Sequence, residues 1–119
     1  MLVVDDDAEQ RLLVRSFLEL AGFVVAEASS AEEALEIAAD GRIQAVVTDE
    51  RMPGLSGTEL ILALSARGID CPAIVYTGEP HLEGRTDDER SLRYLSKPFR
   101  AEDLVDRVRG LLDQERPAS

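Results

Sequence analysis

The stretch Ala45-Val46-Val47-Thr48-Asp49 is an apolar run of strand length that ends in a carboxylate. Near-continuous apolar runs of this kind are typical of the buried strands of a parallel sheet. Three further runs end in residues that can contact phosphate or a divalent metal: Leu2-Val3-Val4 before Asp5-Asp6, Ala73-Ile74-Val75-Tyr76 before Thr77, and Tyr94-Leu95-Ser96 before Lys97. Because ligands of open α/β sheets bind beyond the carboxyl ends of the strands, we expect the residues after these runs to form one site.

Helical patterns separate the apolar runs, and this alternation predicts a parallel α/β sheet. Asp7 can cap the first helix, and the capping boxes Ser30-Ala31-Glu32-Glu33 and Ser56-Gly57-Thr58-Glu59 can begin the next two. Gly22 and Gly68 are placed to end the first and the third helix. The start and stop signals therefore agree with the strand pattern.

Spacing also predicts details of individual elements. In the first helix Leu13, Phe17 and Leu20 share one face, which we expect to pack on the sheet. Residues 23–26 read as the second strand, and a last helix begins near Ala101.

Composition limits the class of protein. A chain of 119 residues with 45% apolar content is one ordinary globular domain. The net charge of −11 argues against direct binding of nucleic acid, because phosphate contacts need clustered Lys and Arg. The sequence shows neither a membrane-spanning apolar stretch nor a basic leader, so we expect a cytoplasmic location and no membrane contact. Cys71 has no internal disulfide partner and reads as a packing residue.

The acids Asp5, Asp6 and Asp49 differ from ordinary surface acids because they follow two strands of the same type. If those strands are neighbours, the like charges repel by roughly a few kcal/mol each at an effective dielectric near 20. A fold gains nothing from that repulsion, so we expect a cation to offset it. The chain has no cluster of His and Cys, and hard oxygen ligands favour Mg²⁺.

Thr77 and Lys97 complete the predicted site. Alone, each would read as an ordinary turn or surface residue. Together with the acids, they supply the hydroxyl and the mobile positive charge that a phosphoryl group needs. Pro98 after Lys97 restricts the loop and leaves both isomers of the peptide bond open.

Taken together, these segments resemble the receiver domain of response regulators in two-component signalling. The resemblance spans nearly the whole chain, in the family's order, through residues 2–7, 49–57, 77–78 and 94–99. It implies an α/β fold with a doubly wound five-stranded parallel sheet in the order 2-1-3-4-5, flanked by five helices. We expect the receiver domain to occupy residues 1–114 and residues 115–119 to form a tail or the start of a linker.

The resemblance also implies a role for each acid. Asp49 matches the position of the phosphoacceptor, which receives its phosphoryl group from the phosphohistidine of a histidine kinase or a histidine phosphotransfer domain. Asp6 matches a direct ligand of Mg²⁺, and Asp5 matches a ligand that acts mostly through water. Asp49 and the backbone carbonyl of Arg51 complete the protein's share of the metal ligands.

The remaining matched positions concern catalysis and switching. Thr77 and Lys97 match the pair that contacts the phosphoryl group, and Tyr94 matches an aromatic residue that changes rotamer as Thr77 moves. Arg51 and Glu79 match positions beside the path of the hydrolytic water, where an ion pair would hinder it. Such a domain is not a conventional enzyme, since it catalyses its own phosphorylation and slow hydrolysis.

Two alternatives remain open at this stage. A phosphohydrolase of the haloacid dehalogenase type also uses Asp, Thr or Ser, Lys and Mg²⁺, and Asp5-x-Asp7 could serve as its pair of acids. A degenerate receiver could instead act as an unphosphorylated binding module.

The stretch between Thr77 and Lys97 departs most from the family pattern. Residues 79–93 contain only Leu82 and Leu92 as sizeable apolar side chains, and their spacing does not place them on one helical face. We expect an atypical fourth helix here, unwound or poorly ordered until phosphate or a partner arrives. His81 within it is expected to be exposed.

Overall fold

The computed structural model describes residues 1–41, 43–79, 86–87 and 92–115 of the chain. Strands and helices alternate through most of this part. In chain order the elements are β1 (Leu2–Val4), α1 (Ala8–Leu20), β2 (Ala26–Ala28), α2 (Ala31–Ala38), β3 (Val46–Asp49), α3 (Gly57–Ala66), β4 (Ala73–Thr77), β5 (Thr86–Asp87), β6 (Leu92–Ser96) and α4 (Ala101–Glu115). None of the described helices is long and apolar enough to cross a membrane.

The parallel sheet has the predicted strand order. Hydrogen bonding places the described strands in the order β2-β1-β3-β4-β6-β5. The first five of these are parallel to one another. With β6 as the fifth parallel strand, the order 2-1-3-4-5 is confirmed. β5 adds a short antiparallel edge in which Thr86 pairs with Arg93 and Asp87 with Leu92.

The core has two halves because alternate residues of each strand face opposite sides of the sheet. Leu2 and Val4 pack on the side of α2 and α3. Val3, which lies between them, packs on the other side with Val14 of α1 and Leu104 of α4. All five side chains are fully buried. Helices on both sides therefore explain why the strands read as continuous apolar runs.

The helix starts that the sequence predicted are present in the structure. The Asp7 carboxylate accepts hydrogen bonds from the backbone amides of Glu9 and Gln10 at the start of α1. At the start of α3, Ser56 and Glu59 form both hydrogen bonds of a capping box. These contacts satisfy amide groups that a helix leaves without partners in its first turn.

The second predicted capping box is formed only in part, whereas the helix ends agree with the prediction. Ser30 accepts from the amide of Glu33, as predicted, but the Glu33 carboxylate accepts from the hydroxyl of Ser29. Gly22 and Gly68 follow α1 and α3 with φ angles of 98° and 79°. Both glycines therefore adopt the left-handed conformation that ends helices.

The predicted inner face of α1 is wrong by one residue. Val14 and Leu18 are fully buried, whereas Leu13 is 47% and Leu20 88% exposed. Phe17 packs against the core only in part. One residue corresponds to a rotation of about 100° around a helix axis, so spacing alone could not distinguish the two rows of apolar side chains.

The second strand lies later than predicted, at Ala26–Ala28 instead of residues 23–26. Its central residue is Glu27, which does not look like a strand residue in an apolar pattern. The Glu27 carboxylate forms ion pairs with Arg11 and Arg15 of α1, at 3.3 and 2.5 Å. These pairs let a charged residue occupy the edge of the sheet.

The predicted atypical fourth helix lies mostly outside the described residues. Within residues 79–93, the described pair Thr86–Asp87 forms a strand. His81 lies outside the described part, and so do residues 116–119 of the predicted tail. The ordering of this segment on phosphorylation stays a prediction.

Candidate functional site

Three acids meet at the carboxyl edge of the sheet, as the strand ends predicted. Asp5 and Asp6 follow β1, and Asp49 is the last residue of β3, which pairs with β1. One carboxylate oxygen from each acid lies within 4.8 Å of the others. Asp5 is fully buried and Asp49 is 7% exposed, whereas Asp6 is exposed to solvent.

Asp5 is held by hydrogen bonds on both carboxylate oxygens. The backbone amide of Asp7 donates to Oδ1 at 2.9 Å, and the hydroxyl of Tyr76 donates to Oδ2 at 2.5 Å. Burial raises the pKa of Asp5 above its usual value, and the nearby Asp49 charge adds to that rise, although the two hydrogen bonds oppose it. Ionisation of Asp5 therefore lowers the free energy of unfolding of the metal-free protein.

Asp5→Asn is expected to stabilise the metal-free protein by about 1–2 kcal/mol at neutral pH, because it removes a buried like charge. Since the folded state raises the pKa of Asp5, it binds this proton more tightly than the unfolded chain does. The free energy of unfolding of the wild type therefore falls as pH rises through the folded pKa, and the advantage of the variant shrinks below that pKa. Urea denaturation in chelator at several pH values measures both effects.

Excess Mg²⁺ provides the control for this prediction. A cation that binds only the folded wild type should stabilise it by mass action and reduce the advantage of Asp5→Asn. A variant that is less stable than the wild type at neutral pH in chelator would contradict the role of the buried charge.

Lys97 lies opposite the acids, beside Asp49. Its ammonium lies 3.1 Å from Asp49 Oδ2. The peptide bond between Lys97 and Pro98 is cis, and the Lys97 amide donates to the carbonyl of Thr77 at 2.8 Å. A cavity of about 230 Å³ opens here, lined by Asp49, Arg51, Thr77, Gly78, Glu79 and Lys97. The structure thus brings Thr77 and the Lys97 ammonium to one cavity beside Asp49.

The loop after β3 shapes one side of this cavity. The Arg51 amide donates to Asp49 Oδ1 at 3.3 Å. The Arg51 guanidinium lies 3.5 Å from the Glu79 carboxylate, with the two side chains 86% and 35% exposed. The two residues therefore form the ion pair that the sequence suggested, and both line the cavity.

Sequence reasoning missed a hydrogen-bonded group around Tyr94. The Tyr94 hydroxyl lies 2.6 Å from Thr58 Oγ1, and the Thr58 hydroxyl donates to the Glu50 carboxylate at 2.6 Å. Glu50 accepts a further bond from the Thr58 amide at 2.7 Å. Tyr94 is buried, and Glu50 directly follows Asp49, so this group links the loop beside Asp49 to β6.

The contact of Tyr76 with Asp5 was missed as well, because Tyr76 was read only as an apolar strand residue. One signal was available: a buried phenol normally requires a hydrogen-bond partner. Here the strand ends beside acids, and the partner is Asp5.

The donor set fits a hard divalent cation. Three carboxylates converge from β1 and β3, and they supply only oxygen ligands. Asp7 does not join them, because its carboxylate caps α1. The acids that converge are therefore not the pair Asp5-x-Asp7 that a phosphohydrolase would use, and this geometry counts against that alternative.

Comparison with known proteins agrees with this geometry. Residues 1–109 match the family described as the response regulator receiver domain. The chain is 38% identical over 119 residues to the response regulator MprA of Mycobacterium leprae, covering 98% of this chain and 52% of that protein. MprA of Mycobacterium sp. (strain KMS) is 39% identical with the same coverage. The chain thus spans about half the length of these relatives.

Solved structures show the same fold. A receiver domain from Clostridium thermocellum superposes with a TM-score of 0.83 at 30% identity, covering 96% of this chain and 94% of that one. The response regulator TrrA from Thermotoga maritima, solved in complex with Mg²⁺ and BeF, has a TM-score of 0.81 at 30% identity, with 92% and 96% covered. With strand order, acid cluster and lysine all in agreement, the chain belongs to the response regulator receiver domains of two-component signalling.

Proposed function

We propose that this chain accepts a phosphoryl group on Asp49 from the phosphohistidine of a histidine kinase or a histidine phosphotransfer domain. The position of the Asp49 carboxylate carries the proposal. One of its oxygens lies within 4.8 Å of an oxygen from each of the other two acids. Its Oδ2 atom lies 3.1 Å from the Lys97 ammonium. A carboxylate placed between a cation site and an ammonium can attack phosphorus, because both positive charges offset the charge of the transferred group.

Mg²⁺ is the cation that we propose for this site. The carboxylates of Asp5, Asp6 and Asp49 and the backbone carbonyl of Arg51 would hold it. When bound, it offsets the charge of the acids and of the phosphoryl group. The Mg²⁺ and BeF complex of the Thermotoga maritima relative supports this assignment.

The transfer exchanges one bond of phosphorus for another. An oxygen of Asp49 forms a bond to phosphorus, while the bond from phosphorus to the imidazole nitrogen breaks and leaves its electron pair on nitrogen. The Lys97 ammonium can contact the phosphoryl group once it is attached to Asp49, because it already contacts the Asp49 carboxylate. The Thr77 hydroxyl is oriented by the Glu79 amide, which donates to it at 3.0 Å, and we assign it to the phosphoryl oxygens.

Phosphorylation would change the conformation of the domain through Thr77 and Tyr94. We propose that Thr77 moves toward the phosphoryl group and that Tyr94 changes rotamer with it. Any such change must break or remake the contact of Tyr94 with Thr58, at 2.6 Å. A two-state response also requires that the phosphoryl group bind one state better than the other.

The ion pair between Arg51 and Glu79 is expected to slow hydrolysis of the aspartyl phosphate. Both residues line the cavity beside Asp49, where the pair can hinder the attacking water. Because exposed pairs contribute only about 0–1 kcal/mol, we expect Arg51→Ala and Glu79→Ala to shorten the half-life by at most several-fold. Half-lives of the two variants and of the double variant measure this effect, and equal values in all four proteins would contradict it.

The function is tested by intact mass after incubation with acetyl phosphate. We expect a gain of one phosphoryl group in the presence of Mg²⁺ and none in excess chelator. An undiminished gain in chelator would contradict the metal requirement. Absence of any gain with both acetyl phosphate and a phosphohistidine donor would favour the degenerate, unphosphorylated receiver.

We also propose bounds for the domain, the absence of direct nucleic-acid binding and a cellular location. We propose that the receiver occupies residues 1–114 and that residues 115–119 form a tail or the start of a linker. The net charge of −11 supports a domain that does not bind nucleic acid itself. A cytoplasmic location, with no membrane contact of this domain, fits a histidine kinase as the phosphoryl donor.

A further inference from the structure

The Tyr76 side chain contacts one acid of the site, Asp5, and also its lysine, Lys97. Its hydroxyl donates to Asp5 Oδ2 at 2.5 Å, and the Lys97 ammonium lies 5.3 Å from the centre of its ring. The side chain is fully buried, and a tilted contact with Phe99, at 5.4 Å between ring centres, packs it further. Nothing in the assigned roles of the site accounts for this residue.

Packing explains the ring of Tyr76 and leaves its hydroxyl unexplained. A phenylalanine would fill the same space against Phe99 without a polar atom. A buried hydroxyl costs free energy unless it is hydrogen-bonded, so the phenol is favourable here because Asp5 accepts from it.

The same bond has a consequence for Asp5. With the Asp7 amide on Oδ1 and the Tyr76 hydroxyl on Oδ2, both carboxylate oxygens are held in place. An ionised carboxylate offers about four acceptor sites, so two remain after these bonds. The neighbouring carboxylates of Asp6 and Asp49 lie within 4.8 Å.

We propose that Tyr76 is a positioning residue for the metal site: its hydroxyl fixes the Asp5 carboxylate in the orientation that Mg²⁺ binding requires. This inference rests on the proposed function, because it concerns the same metal. Residues that orient a metal ligand typically contribute about tenfold or more to the affinity for the metal. The ring of Tyr76 has a separate contact, with Lys97, which a phenylalanine would retain.

The test compares Tyr76→Phe with the wild type by calorimetric titration of the metal-free protein with Mg²⁺. We expect about tenfold weaker binding, because the variant keeps the ring but loses the bond to Asp5. The same titrations of Asp5→Asn and of the double variant form a cycle. If Tyr76 acts through Asp5, its substitution should change Mg²⁺ binding less than about twofold in the Asp5→Asn background.

Several results would overturn the inference. One is unchanged or tighter Mg²⁺ binding by Tyr76→Phe. Another is that Tyr76→Phe lowers the affinity for Mg²⁺ by the same factor in the wild type and in the Asp5→Asn variant. A crystal structure of the wild type with Mg²⁺ gives a test that does not depend on folding of the variant. That structure should retain the hydrogen bond between Tyr76 and Asp5, and loss of the bond would contradict the positioning role of Tyr76. A wild type that does not bind Mg²⁺ would overturn the proposed function as well.

Discussion

Replacing Asp49 by asparagine is expected to abolish phosphorylation of the chain completely. The amide lacks the anionic oxygen that attacks phosphorus, and it also lacks the charge that holds the Lys97 ammonium at 3.1 Å. The other two acids of the cluster are not expected to substitute, because Asp5 is fully buried and the Lys97 ammonium lies beside Asp49. Intact mass after incubation with acetyl phosphate and Mg²⁺ measures the effect.

Asp40→Asn is the matched control for this experiment. Asp40 is an exposed acid just after α2, outside the acid cluster, so its variant should gain one phosphoryl group like the wild type. A full mass gain in Asp49→Asn would show that another residue is the acceptor.

Gly57→Ala is expected to destabilise the protein by about 2–4 kcal/mol, as overpacking at a rigid position does. A Cβ atom at Gly57 would lie 2.5 Å from the carbonyl oxygen of Asp49 and 3.1 Å from Cα of Glu50. Both are backbone atoms, and the Gly57 amide donates to the Glu50 carbonyl at 3.0 Å, so the two segments cannot separate without losing that bond. Denaturant unfolding in chelator measures the loss.

The position of the clash adds a second expected effect. Relief of the clash must move the backbone at residue 57 or at Asp49, and any movement of Asp49 shifts the carboxylate that contacts Lys97. We therefore expect Gly57→Ala to be phosphorylated more slowly than the wild type even under conditions in which it is fully folded.

Gly110→Ala provides the control for the same substitution elsewhere. Gly110 lies exposed in α4, and outside the local helix backbone a Cβ atom there would meet nothing within 4 Å. Because alanine favours helices over glycine by about 1 kcal/mol, this variant should be as stable as the wild type or more stable. Equal stability of Gly57→Ala and the wild type would contradict the prediction. It would show that the backbone around Asp49 can shift to accommodate the added Cβ atom without a loss of stability.

Much of the fold was predictable because its signals are local in sequence. The apolar runs that became β1, β3, β4 and β6 are short and covered on both sides, so their burial needs no polar alternation. The caps at Asp7 and Ser56 involve residues two or three positions apart. Such contacts depend on chain geometry close to each residue, which the sequence specifies directly.

Errors in the predicted fold arose where a charged partner or a small rotation decided the outcome. β2 was misplaced because Glu27 looks unlike a strand residue until Arg11 and Arg15 are beside it. The inner face of α1 was misplaced because Leu13 and Val14 are both apolar, and only contact with the sheet selects Val14.

The sequence by itself determined which residues could meet at the carboxyl edge of the sheet: Asp5, Asp6, Asp49, Thr77 and Lys97 all follow or end apolar runs. Only the tertiary structure decided which of their neighbours hold them. The bond between Tyr76 and Asp5 joins residues 71 positions apart, and that between Thr58 and Tyr94 joins residues 36 apart. Pairs so distant in the chain meet only through strand register and helix packing, which are properties of the whole core and leave no local pattern.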